Sequence, residues 1–250
     1  MAITQKDLME FYRSLDVRDY KMTHAVKTYV FRKSNVSNGN HALMASGYCV
    51  YSNRYGIEPF SVRLYFKEVE KGLDELLLRY GVINEESKTT ISKVCMPEKH
   101  KDLFSPNYFV STVDEFHPVR AAMQELIDEK VFPFIDKYND HLENVAELLM
   151  GLDFNDNIDY QYLYPSLIKS AYIFKMTGHA RYKERLAYLY GKSIAEEKNI
   201  QRDVALGKVS AGHPLVLKIA HKLHAFEELF CEDLEACGYK IDHRWERGET

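Results

Sequence analysis

A chain of 250 residues with 46% hydrophobic and 28% charged side chains has enough apolar residues for a sizeable core and too many to stay disordered. Its 33 basic and 37 acidic residues give a net charge of −4, which excludes the strong positive excess of a protein built chiefly to hold nucleic acid. There is no run of about 18 apolar residues, no signal-peptide core at the N-terminus, and no C-x-x-C spacing among Cys49, Cys95, Cys231 and Cys237. These features predict a cytoplasmic protein with reduced thiols and no membrane partner.

Leu8, Phe11, Tyr12 and Leu15 recur at helical spacing behind Thr4, a residue suited to cap that helix. Two runs of strand-type sequence follow, Val26 to Lys33 and His41 to Tyr51, separated by a segment that contains Asn38-Gly39. Asn-Gly supplies the two positive φ values of a type I′ turn, so the pair reads as a β-hairpin. Both faces of the return strand are apolar, which predicts a central strand covered on each side. A turn over Asn53 to Pro59 leads to a third strand, Phe60 to Lys67, completing a meander. Val69, Leu73, Leu76, Leu77 and Tyr80 then predict a helix stopped by Gly81, although Gly72 lies inside it. Lys88 to Cys95 is β-branched and predicts a further strand, with Tyr108 to Ser111 as a short one.

From about Val113 onward only helical periodicity remains. Pro118 favours a helix start, Pro133 should kink or end that helix, and Asp140 with Glu143 forms a capping-box pattern for another helix ending near Gly151. Tyr164 to Lys198 reads as an αα-hairpin turning at Gly178. Pro214 to Cys237 is a last helix, with Val216, Ile219, Leu223, Phe226, Phe230 and Leu234 on one side, and the polar tail from Lys240 should fray. The fold class is therefore α+β: an antiparallel sheet covered by helices, then a helical C-terminal region. Residues 1–112 and 113–250 are the two regions expected, packed as one unit.

Chemistry-bearing patterns are sparse. His221, His224 and Glu228 share one arc of the last helix, a spacing from which metal ligands could converge. That arc lies opposite the apolar stripe, so a solvent face without metal is expected. Arg18 and His24 have the spacing used by a class of helical ribonucleases, but they precede a strand and not a helix. Seven tyrosines between Tyr160 and Tyr190 interleave with Lys169, Lys175, Arg181, Lys183 and Arg185; packing is the first reading of such a cluster and a protein interface the second. No G-x-G-x-x-G, Walker A, H-E-x-x-H or G-x-S-x-G pattern occurs, and no cofactor is expected.

The segments Tyr29-Val30-Phe31-Arg32 and Ser61-Val62-Arg63-Leu64-Tyr65-Phe66, with the helix Val119 to Phe134, resemble bacterial helix–sheet–helix domains of unknown function. Some of those domains are regarded as immunity-like partners of toxin systems, and the resemblance spans about the first 150 residues. It implies a protein partner and transfers no site residue. The resulting expectation is a non-catalytic protein-interaction module, with Tyr182 and Arg181 as exposed contacts at the start of the second hairpin helix. The alternative is a nuclease or metal-dependent hydrolase that uses a histidine site.

Overall fold

The computed structural model describes residues 3–33, 39–152 and 166–243. In chain order its first half contains α1 (Gln5–Arg13), β1 (Tyr20–Ala25), β2 (Thr28–Lys33), β3 (His41–Tyr51), β4 (Arg54–Ile57), β5 (Ser61–Tyr65), α2 (Lys67–Arg79) and β6 (Ile91–Val94). The remainder is helical: α3 (Phe116–Leu126), one π turn (Ile127–Val131), α4 (Phe132–Tyr138), α5 (Leu142–Met150), α6 (Ser166–Met176), α7 (Tyr182–Ala205) and α8 (Pro214–Ala236). The protein is thus α+β, an antiparallel sheet followed by helices. Among the described residues no helix is long and apolar enough to cross a membrane.

Contacts divide the chain into two compact units that interleave in sequence. Residues 3–33, 39–66 and 91–141 form one, and residues 67–90, 142–152 and 166–243 the other. The division differs from the single boundary near residue 112 that periodicity suggests. Local pattern assigns α2 to the sheet because α2 follows it directly, whereas its contacts are with α6 and α8.

In the first unit the strand order is β1-β2-β3-β5-β6, all antiparallel, with β4 paired to the far half of β3. Ala42 to Ser46 of β3 are all buried, as a central strand with two apolar faces requires. Helix α1 begins with a reciprocal cap: Thr4 Oγ accepts from the Asp7 N–H, and the Asp7 carboxylate accepts from the Thr4 N–H at 2.7 Å. The cap aims Leu8, Phe11 and Tyr12 at the sheet. The Tyr12 ring stacks on Tyr29 at 4.1 Å, its hydroxyl lies 2.8 Å from Ser46 Oγ, and Phe11 stacks on Phe116 of α3 at 4.9 Å. Pro133 explains the π turn before α4. It lacks the N–H that would bond to residue 129, and its ring crowds that carbonyl, so the helix widens by one residue and restarts with Pro133 in its first turn.

The hairpins differ from the sequence reading in an instructive way. Strands β2 and β3 do pair, but Arg32 lies opposite Leu43, whereas a two-residue turn on Asn38-Gly39 would set it opposite Ala45. Gly39 has φ 80°, and Asn38 lies outside the described residues. The expected strand from Val26 is interrupted at its start: Val26 and Lys27, with φ 42° and 28°, form a tight turn between Ala25 and Thr28 and so create β1. Ser52 and Asn53, at φ 49° and 64°, make a second such turn, and β4 occupies part of the loop expected up to Pro59. The short strand expected at Tyr108 to Ser111 reduces to one bridge between Tyr55 and Val110. Asp140, at φ 68°, lies two residues before α5, one position short of the cap expected of it.

In the second unit α5 packs on α6, α6 on α7 and α7 on α8, while α2 packs against α6 and α8. Gly81 (φ 63°) ends α2, and Gly178 (φ 59°) turns the α6–α7 hairpin. Gly72 is required by contact: a Cβ there would sit 2.1 Å from the Tyr172 hydroxyl of α6. Deep in this unit Lys169 Nζ lies 2.7 Å from Glu70 Oε2, with both side chains essentially inaccessible. The ammonium also donates to Ser87 Oγ and to the Thr89 carbonyl, each at 2.8 Å.

A β-branched residue at positive φ is strained, and Val26 is 88% exposed, so no packing holds it there. Replacing Val26-Lys27 by Asn-Gly should raise stability by about 1 kcal/mol, seen as a higher urea midpoint at unchanged slope. A lower midpoint would show that the turn is held by contacts of the native side chains.

Candidate functional site

Most residues singled out from the sequence are committed to packing within the second unit. His221, His224 and Glu228 do not lie on an open solvent face; all three are partly buried. Glu228 accepts a 2.6 Å hydrogen bond from the Tyr80 hydroxyl and pairs with Arg79 at 2.9 Å, and the His224 ring sits edge-on to Tyr80. The end of α2 therefore covers an arc that helical periodicity leaves exposed. Tyr182 is half-buried and donates to Asp233 at 2.7 Å, which corrects its reading as an exposed contact. Arg181 is exposed and ion-paired with Glu184.

Tyr182 belongs to a set of three. Tyr80, Tyr182 and Tyr190 each donate a hydroxyl to an acid of α8: Glu228, Asp233 and Glu227, at 2.6, 2.7 and 2.7 Å. Burial, and then the hydrogen-bonded carboxylate, pushes all three phenols well above their ordinary 10. Asp233 moves the other way. Burial opposes its ionisation, but Lys175 at 2.8 Å and Tyr182 hold it below the usual carboxylate range. Lys169, one of the bases interleaved with the tyrosines, is the buried lysine described above. Tyr160, Tyr162 and Tyr164 lie outside the described residues. Arg18 and His24 have separate partners: Arg18 pairs with Asp136 at 2.9 Å and stacks on Phe132, while His24 packs on Tyr29.

The open chemistry lies at one end of the sheet in the first unit. The Ser52-Asn53 turn presents Tyr51, 62% exposed, opposite Arg54. Val110 exchanges both main-chain hydrogen bonds with Tyr55 at 2.9 Å, and this brings Phe109 to 6.0 Å from the Tyr51 ring. The Arg54 guanidinium lies 5.9 Å from the centroid of Tyr51 and 5.5 Å from that of Phe109. Gly56 makes the approach possible, since a Cβ would lie 2.7 Å from Cys49 Sγ and 3.4 Å from the Phe109 ring. Cys49 is exposed here, not a buried small hydrophobe. The adjacent hairpin tip is tied to the same strand by a 3.0 Å bond from Tyr48 N–H to the Lys27 carbonyl. It leaves Val26 in solvent, and Val50 is 44% exposed.

Aromatic rings and a guanidinium at the end of a sheet that also exposes Val26 and Val50 form a surface suited to fill an apolar pocket beside an acid. The sequence offers the residues singly; what it hides is the pair of tight turns and the Tyr55–Val110 bridge that assemble them. Comparison with protein-family models, curated proteins and solved structures finds no match to the chain.

The three phenols fix a pH response. Because their native pKa values are raised, their contribution is complete below 10 and is lost as pH rises past it, where the unfolded chain ionises first. Denaturation midpoints should therefore fall with alkaline pH, and the fall should shrink in a Tyr182→Phe variant. Tyrosine absorbance titrating in the native protein as free phenol would contradict the assignment.

Proposed function

We propose that this protein is an interaction module that binds another protein through the end of its sheet, with Tyr51 and Arg54 as the principal contacts. The observation that carries the reading is the cluster of exposed Tyr51 and Arg54, either side of the Ser52-Asn53 turn, with half-buried Phe109, at the sheet end that also exposes Val26 and Val50. Interfaces concentrate their energy in a few aromatic and arginine side chains set on a pre-organised surface. Both turns are two residues long, so little conformational freedom is lost when a partner docks. Exposed Lys27 and Arg54, one at each turn, favour an acidic partner surface. An immunity-like role, in which the partner is an effector silenced by docking, is one form of this function.

Affinity purification from the native host, compared between the wild type and Tyr51→Ala/Arg54→Ala, tests the reading. At least one protein should be recovered with the wild type and reduced by more than about tenfold with the variant, on the order of the 2 kcal/mol that truncating a central contact costs. Thermal melting should stay cooperative, because both side chains are solvent-facing. Unchanged recovery of every partner by a folded variant would remove the sheet end as the contact surface.

A further inference from the structure

Helix α8 carries Cys231 and Glu235 one turn apart, so both project from the same face. The helix stops at Cys237, and Gly238, at φ 89°, reverses the chain; the Tyr239 N–H returns to the Leu234 carbonyl at 3.1 Å. The Tyr239 ring then meets Tyr190 edge-on at 4.8 Å, and its hydroxyl bonds to the Ala187 carbonyl of α7. The tail, expected to fray, is thereby led back along α8 as far as His243. There His243 Nε2 lies 3.1 Å from Glu235 Oε1 and 3.8 Å from Cys231 Sγ. One ligand atom from each of the three residues falls within 4.8 Å of the other two, and among the described residues no other such group of histidine, cysteine and acid occurs.

We propose that Cys231, Glu235 and His243 form a binding site for a thiophilic divalent cation, with zinc as the best fit. Bonds of about 2.3 Å to sulfur and about 2.0–2.1 Å to nitrogen and oxygen, set at tetrahedral angles, separate neighbouring ligand atoms by about 3.3–3.6 Å. The 3.1 and 3.8 Å separations from His243 bracket that range and the Cys231–Glu235 separation lies within 4.8 Å, so side-chain adjustment would complete the site. A thiolate, a carboxylate and a neutral imidazole supply two negative charges against the ion's two positive ones. Sulfur with imidazole selects zinc over magnesium or calcium, which prefer all-oxygen sites. Three ligands leave a fourth position for water, and Cys231 and His243 are only partly buried, so the ion has access. Bound metal would fasten the tail to α8, a role independent of the sheet end in the other unit.

The test uses the full chain purified without a histidine tag, stripped with chelator and titrated with zinc chloride alone. One equivalent should bind, with affinity reduced by more than about tenfold in Cys231→Ser and in His243→Ala, and unchanged in Cys237→Ser and His224→Ala. Cobalt should give a thiolate-to-metal charge-transfer band that is absent from Cys231→Ser. Zinc should also slow alkylation of Cys231 by iodoacetamide without protecting Cys49, which provides a reading on unmutated protein. No binding by the wild type, equal alkylation of Cys231 with and without zinc, or loss of binding in Cys237→Ser would each overturn the proposal.

Discussion

An ammonium group sealed from water must find partners for its three hydrogens, and Lys169 finds Glu70, Ser87 and Thr89 in two other pieces of chain. Glu70 comes from α2, Ser87 and the Thr89 carbonyl from the segment after it, and the lysine itself from α6. No local pattern brings these pieces together, and moving any one by a helical turn would leave a buried charge unmet. The attraction itself adds little net stability, because desolvating both ions offsets most of it. What the pair secures is register. Asp74, one turn beyond Glu70, is drawn into the same centre: its carboxylate accepts the Ser87 N–H at 3.1 Å, and burial, together with the charge of Glu70, raises its pKa. Two acids and one lysine thus fix how α2 lies on α6, with Gly72 shaved to admit Tyr172.

With α2 held in that register, Tyr80 reaches Glu228 and packs beside His224. Tyr182 and Tyr190 complete the attachment of α7 to α8. The helical unit therefore uses inside itself much of the chemistry that looks available in its sequence: a buried lysine, three phenols and five acids. The sheet unit is built the other way. Its core is apolar and aromatic, ordered by Tyr12, Tyr29 and Phe31, and its polar and aromatic residues at the sheet end stay outside. This contrast is why the proposed contact surface is the sheet end and not the α6–α7 hairpin.

Where residue chemistry acts over a few positions, it was legible in the sequence. Thr4 and Asp7 announce α1, the two-faced apolar run of β3 announces a central strand, Pro133 marks the irregular turn before α4, and the apolar stripe of α8 is buried as its spacing requires. Illegible features are those in which tertiary context overrides local preference or partners meet from afar. Val26-Lys27 carries no turn signal, so β1 was invisible, and β4 is too short to alternate. Tyr182 looked exposed because its partner Asp233 lies 51 residues away. His243 looked like part of a loose tail because only the reversal at Gly238 gives it neighbours.

The most direct test of this account is a double-mutant cycle on the buried pair, read as unfolding free energy from chemical denaturation. Lys169→Met alone should cost on the order of 3–5 kcal/mol by stranding Glu70 without its counter-charge. Lys169→Met combined with Glu70→Leu should recover most of that loss, since two apolar side chains need no acceptors. A single Lys169→Met substitution that leaves stability unchanged would contradict the account, because it would place the lysine in solvent and leave the register of α2 on α6 to other contacts.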